Sequence, residues 1–458
     1  MRHTKLALAA AALAILAGCG GTDPTPGAQV LKKQYSAQVS FGDSLSDVGS
    51  YAVGTVAALK GGKFTINGDN TAVNPALTGK NWTELMAAQL GLPAPCPAVT
   101  GLDGDASKGF SVPQVAHAGC YGYATGGSRV TNPVGPGNKL TGSALGALTI
   151  PVATQIANHL KVIGGKFKGD EMIFVMAGGN DVLFNLSALS AAATAAGTAA
   201  GGTAYVTSLV GQLAAGATNP QAAAAAIGLA AQTEAARAGS TQTSITQVAI
   251  GTAAVQPGNS SVASPAVYGP MVTKATADAT AAGAKAGADY AAAHSPELVA
   301  AMAQAGNELV ALVKNQLIAN GANYVTVNNL PDVATTPAGL SKDASTRALI
   351  NAMVAAFNGA LNTGLGSESK VLIVDVFAVS HDQATNPGPY GLTVVNETAC
   401  DLSAAKNPLG TALTCNAGNL KAGDVSHYSF ADDVHPTPFN NLLLARYTAE
   451  KMVVKGWL

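Results

Sequence analysis

Two short stretches at opposite ends of the chain carry the side chains needed for nucleophilic chemistry. One is Phe41-Gly42-Asp43-Ser44-Leu45-Ser46-Asp47, and the other is Asp432-Asp433-Val434-His435-Pro436-Thr437. A serine placed directly after a strand projects its hydroxyl from the carboxyl edge of a parallel sheet, where ligands of open α/β folds bind. An aspartate three residues before a histidine can accept the Nδ1 proton and turn Nε2 toward a nucleophile. Asp433 offers the same carboxylate one residue on, and Asp424 to His427 repeats the spacing, so both compete with Asp432 and His435. The G-x-S-x-G elbow is absent, because Ser46 stands two residues after Ser44. His117, His159, His294 and His381 lack neighbours at metal-ligand spacing, so neither metal nor other cofactor is expected, and they read as surface or satisfied core groups. Asp47 reads first as a cap of the following segment and second as a buttress of the serine loop, and Phe64 and Trp82 read first as core and second as the lining of an acyl pocket.

Positioning these groups requires a sheet, and the apolar runs supply one. Val39 to Phe41, Met172 to Met176, Tyr324 to Val327 and Val371 to Phe377 are short and rich in β-branched or large residues, as buried strands are. Helical periodicity runs from Trp82 to Leu90, Ile150 to Ile163 and Phe439 to Trp457. Ser295-Pro296-Glu297 has the form of a helix start, and Asn320-Gly321 of a stop. Strands alternating with helices imply an α/β fold with a parallel sheet covered on both faces. The pattern breaks at 186–294, a stretch of Ala, Gly, Thr, Ser and Gln with six charged residues and no obvious repeat period. Frequent Gly and Thr predict several short or imperfect helices there, forming a lid or appended subdomain and not a membrane span.

Taken together, the motifs resemble the GDSL, or SGNH, hydrolase family. Gly42-Asp43-Ser44-Leu45-Ser46-Asp47 matches its first block, with Ser44 at the nucleophile position. Tyr123-Ala124-Thr125-Gly126-Gly127 matches the second, with Gly122 where Asn is common, and Gly178-Gly179-Asn180-Asp181 matches the third. Asp432 and His435 match the last. The resemblance covers roughly 38–185 and 296–458 and implies a flavodoxin-like fold. It further implies an ester or lipid substrate, a triad of Ser44, Asp432 and His435, and an oxyanion hole from the N–H groups of Ser44 and Gly127 and the Asn180 amide. Val374-Asp375-Val376-Phe377 is similar to the branch holding secreted lipases, phospholipases and haemolysins, which also includes acyltransferases; carbohydrate O-deacetylases share the scaffold.

The start of the chain reads as an address. Arg2 and Lys5 precede an apolar run from Leu6 to Ala17, too short to span a bilayer. Leu16-Ala17-Gly18-Cys19 resembles the bacterial lipobox, which implies a signal peptide over 1–18, a lipid on Cys19 and a flexible tether over 19–35, with the hydrolase domain over 36–458. Gly20 in place of a retention Asp implies the outer membrane, on its periplasmic or outer face. With Cys19 so used, Cys96, Cys120, Cys400 and Cys415 remain, an even number for an oxidising compartment. Three connectivities are open; pairing Cys96 with Cys120 and Cys400 with Cys415 would close short loops worth about 3 kcal/mol each. Over 458 residues only 11% are charged, and the formal charge is −1. No basic stripe marks the sequence, so nucleic acid is not an expected partner, and oligomeric state is left open.

Overall fold

The four apolar runs become neighbouring strands of one parallel sheet. The computed structural model describes residues 33–68 and 77–458. The leader, Cys19 and most of the tether therefore lie outside the described residues. The strands in chain order are β1 (Gln38–Gly42), β2 (Val99–Asp103), β3 (Ser111–Ala116), β4 (Met172–Met176), β5 (Tyr324–Asn328), β6 (Val371–Val374), β7 (Val394–Thr398) and β8 (Tyr428–Phe430). The main sheet runs β1-β4-β5-β6, with every pair parallel. An extended segment at 121–123 adds a fifth, parallel position beside β1. There Ser40 N donates to Tyr121 O at 3.0 Å, and Tyr123 N donates to Ser40 O at 2.8 Å. β2 and β3 form a hairpin, and β7 pairs with β8, both apart from the main sheet.

Helices of eight or more residues are α1 (Trp82–Gln89), α2 (Val152–Val162), α3 (Gly179–Ala214), α4 (Pro220–Ala236), α5 (Gln242–Ala254), α6 (Pro265–Leu312), α7 (Ala344–Leu365), α8 (Val376–Thr385) and α9 (Pro438–Lys455). Alternation along β4 divides them into two layers. Ile173 and Val175 face a core shared with Ile156 of α2, Met302 and Leu309 of α6, and Met353 and Phe357 of α7. Met172, Phe174 and Met176 face Trp82 and Met86 of α1, Val379 of α8, and Met452 of α9. Both faces are thus buried, as a parallel sheet requires.

Two sequence expectations fail here for physical reasons. The Val371 to Phe377 run ends as a strand at Val374, because the Asp375 carboxylate accepts the Ala378 N–H at 3.1 Å and caps α8. The helix start at Ser295 does not occur. α6 runs through it, and Ser295 Oγ donates to Ala291 O at 2.6 Å inside the same helix. Pro296 lacks an N–H, but packing of α6 along α3 and α7 carries the helix past it.

The stretch 186–294 holds long helices, not short ones. α3 extends for 36 residues and α6 for 48, and they lie antiparallel as the shaft of an arm. A Cβ added at Gly197 would lie 2.7 Å from Gly283 O, one at Gly201 3.0 Å from Ala279 O, and one at Gly287 3.1 Å from Ala193 O. Small residues every four positions therefore bring the two backbones into contact, the pattern that composition alone had read as helix-weakening. At the far end α4 and α5 join the pair around Tyr205, Leu209, Leu213 and Ile227, a core separate from those on the sheet. The six charges pair locally as Glu234–Arg237, Lys274–Asp278 and Lys285–Asp289. The disulfides join Cys96 to Cys120 and Cys400 to Cys415.

Candidate active site

Ser44 stands where β1 ends and the chain turns. Gly42 has φ 152°, and a Cβ there would lie 2.1 Å from Met176 O, so only glycine lets β1 approach β4 so closely. The buried Gln155 of α2 completes this strand end, accepting Gly42 N–H at 2.8 Å and donating to Gly42 O at 2.7 Å. The last helix supplies the partner: Thr437 caps α9, and the loop just before it carries Asp432 and His435. His435 Nε2 lies 2.8 Å from Ser44 Oγ, and its Nδ1 lies 2.8 Å from both Asp432 oxygens, bringing together groups 391 residues apart. Asp432 also accepts the backbone N–H of Ala412 at 2.6 Å, Val434 at 3.0 Å and His435 at 2.8 Å.

This wiring sets the charges. Burial alone would push the Asp432 carboxyl up, but the facing His435 and the backbone donors outweigh it and hold it below the usual carboxylate range. Burial pushes the His435 imidazole down, while the Asp432 carboxylate and its hydrogen bond push it up more strongly, so the net direction is upward. Beside Ser44, burial raises the Asp43 carboxyl to about 7, against the Leu45 N–H and His435. A serine hydroxyl bonded to an imidazole whose other nitrogen faces a carboxylate is an arrangement suited to transferring the serine proton as oxygen attacks a carbonyl.

Gly127 and Asn180 come from adjoining elements. Gly127 has φ 78°, and a Cβ there would lie 2.3 Å from Pro136 O, so loop packing as well as backbone geometry demands glycine. The N–H of the preceding Gly126 is committed to Asp47 Oδ2 at 2.9 Å, while Gly127 lies one residue further along the same loop. Asn180, in the first turn of α3, donates one amide hydrogen to Ser128 O at 2.9 Å, leaving the other for a second acceptor. Its neighbour Asp181 takes Arg129 Nε at 2.8 Å and Val130 N–H at 3.1 Å. The first turn of α3 therefore clamps the loop that carries Gly127.

Several side chains differ from their sequence reading. Asp47 caps its own turn through the N–H groups of Gly49 and Ser50, and it also reaches the Gly126 loop, so both readings hold at once. Phe64 is not simply core: its ring lies 4.9 Å from the His435 ring. Tyr51, which the sequence did not single out, donates its hydroxyl to Gly126 O at 2.7 Å. Gly122 fits tightly, since a Cβ would lie 2.6 Å from Val48 Cγ2. The competitor His427 turns away from Asp424, with its Nδ1 2.6 Å from Gly391 O. The Asp433 backbone carbonyl accepts the Ala338 N–H at 3.0 Å, while the His435 ring lies against Asp432. His159 is buried among Phe41, Tyr121, Tyr123 and Phe167 with both ring nitrogens unbonded among the described residues, and burial lowers it to about 4. It is a core histidine, but not a satisfied one.

A parallel α/β sheet carrying a Ser, His and Asp constellation at its carboxyl edge is the class that fold and site define. The chain is similar to GDSL esterase/lipase 7 of Arabidopsis thaliana, 37% identical over 109 residues, or 22% of this chain and 29% of that protein. It is also similar to a second Arabidopsis thaliana GDSL esterase/lipase, 24% identical over 155 residues, or 31% of this chain and 42% of the relative. The chain thus spans less than half the length of the curated relatives it matches. No family model matches it.

Proposed function

We propose that this protein is a serine hydrolase of the GDSL type, with a flavodoxin-like sheet, that cleaves carboxylic esters through an acyl-serine intermediate. The observation that carries this reading is the continuous chain Ser44 Oγ, His435 Nε2, His435 Nδ1 and Asp432, each link 2.8 Å. His435 takes the Ser44 proton as the oxygen attacks the ester carbonyl, then returns it to the leaving alcohol. Water attacks the acyl-serine by the same route in reverse roles. The N–H groups of Ser44 and Gly127 and the free Asn180 amide hydrogen stabilise the tetrahedral oxyanion, each such donor being worth about 100-fold to 1,000-fold in rate. The similarity to two plant esterase/lipases supports the substrate class. With the lipobox-like leader, the proposal places the enzyme in a bacterial envelope, anchored through Cys19.

Ser44→Ala is the direct test, read by hydrolysis of p-nitrophenyl acetate and butyrate and by thermal unfolding. The proposal expects at least a roughly thousandfold loss of turnover at an unchanged Tm. Retention of more than a few per cent of the activity would overturn the assignment of Ser44.

A further inference from the structure

In a parallel sheet the loops that enter the strands all lie on one edge, and Ser44 lies on the other. The entering loops carry Lys33, Lys166, Lys168 and Lys370, and the helix ends that meet them add Lys161, Lys314, Lys451 and Lys455. The acids on this edge are Asp170, Glu171, Glu368 and Glu450, and they are engaged locally. Glu171 is buried and accepts the N–H groups of Lys168 and Gly169, Asp170 accepts Ser36 Oγ, Glu368 accepts Lys370 N–H, and Glu450 pairs with Lys451. Eight lysines thus face four carboxylates here, while the other described residues carry fourteen basic and twenty acidic side chains. The chain is near neutral as a whole and polarised along its strands.

Aromatic rings and exposed aliphatic groups accompany the lysines. Lys33 Nζ lies over the Tyr324 ring at 4.5 Å and Lys455 Nζ over the Trp457 ring at 5.7 Å, and Tyr35 and Trp457 each meet Tyr324 edge to face. Val162, Val453 and Val454 stand 63%, 54% and 80% exposed. Tyr35 and Trp457 are themselves buried in the core on this side of the sheet, so what the edge exposes beside its lysines is Val162, Val453 and Val454, and lysines beside exposed aliphatic groups suit a bilayer interface. The described chain also begins on this edge, since Lys33 Nζ donates to Tyr324 OH at 2.8 Å. Cys19 is fourteen residues earlier, a reach of at most about 50 Å.

We propose that this lysine edge is a docking face for an anionic phospholipid bilayer. The charge asymmetry of this edge does not depend on a lipid at Cys19; if Cys19 is lipidated, the same edge faces the membrane that holds it. Each lysine near an anionic surface raises partition about fivefold, and salt weakens the effect. Docking on this edge turns Ser44 away from the bilayer by at least the strand span of about 17 Å. Within the hydrolase reading, the substrate is then an ester presented from the opposite side, not a lipid of the leaflet beneath the protein.

The test uses the chain from residue 20 onward, which lacks leader and lipid and keeps every described residue. Its cosedimentation is measured with phosphatidylcholine vesicles containing or lacking phosphatidylglycerol. Expected are binding to the anionic vesicles alone, loss of that binding in high salt, and at least a tenfold fall for the combined Lys33→Glu, Lys166→Glu, Lys168→Glu and Lys455→Glu variant. Reversing Lys274 and Lys285 on the arm should leave partition unchanged. Circular dichroism and p-nitrophenyl acetate turnover report whether each variant is folded. Equal binding to neutral vesicles, undiminished binding after reversal of the four lysines, or tighter binding to DNA than to the anionic vesicles would overturn the proposal. Since partition is read without turnover, failure of the Ser44 assignment leaves this result standing.

Discussion

Around the sheet, helices pack on the strands through large side chains such as Phe41 of β1 and Ile156, Met302 and Phe357 of the helices, all fully buried. Along the arm, α3 and α6 meet at Gly197, Gly201, Gly283 and Gly287, where there is no side chain to bury. The two regions also treat charge differently. Near Ser44, buried Asp43, Asp47, Asp181 and Asp432 are each tied to specific partners, whereas the arm neutralises its charges in exposed pairs one helical turn apart. A buried carboxylate must be satisfied at a fixed geometry, so it can position a loop. Exposed pairs one turn apart contribute only a few tenths of a kcal/mol and position nothing. The sheet region is thus built for placement and the arm for close backbone contact. The two share α3, whose first turn holds Asn180 and whose remainder is the arm.

The strongest way to break this contrast is at Asp47, which ties the serine turn to the Gly126 loop. Under the proposed mechanism, Asp47→Ala should lower kcat for p-nitrophenyl acetate about 10-fold to 100-fold with a smaller change in KM, because displacing the proposed oxyanion donor costs transition-state stabilisation more than substrate binding. An unchanged kcat would show that the Gly127 loop is positioned without it. Next in size is the pH profile. In the proposed mechanism His435 must be neutral to accept the Ser44 proton, and the facing Asp432 carboxylate raises its titration above the ordinary 6.5. The kcat/KM should therefore fall about tenfold per pH unit on the acid side, with its midpoint above pH 6.5. A midpoint near 5 would contradict the Asp432 partnership. The smallest effect on turnover is expected from Gly283→Val. That substitution forces α3 and α6 apart and should lower thermal stability, while short-ester turnover changes less than about twofold. A large loss of turnover would mean that the arm shaft sets the position of Asn180.

Much of this arrangement was legible in the residues. Met172 to Met176 reads as a buried strand and is one, because five large apolar residues in a row suit only a sheet covered on both faces. Spacing marks Ser44, Asp432 and His435 as candidates beside Asp433 and the Asp424 to His427 pair, the family resemblance singles them out, and the structure sets the three within hydrogen-bond distance. Asp47 was read less fully, because its contact with Gly126 joins residues 79 apart. Phe64 packs on a core cluster and also against the His435 ring, and nothing local in the sequence tells a core ring from one packed on an imidazole. Propensity counts Gly as a helix breaker and so predicts short helices in the arm, while the gain from backbone contact exists only once the second helix lies alongside.

By itself the sequence determined the four strands of the main sheet to within a few residues, the order of the reactive residues and which of them could form a proton-transfer chain, because periodicity and side-chain chemistry are local properties. Tertiary structure alone decided which competitor failed, as with His427, and what held each loop. It also gathered lysines spread from Lys33 to Lys455 onto one edge. No basic stripe exists along the chain, yet parallel strands bring every entering loop to the same side, so charge dispersed in sequence becomes a surface in space.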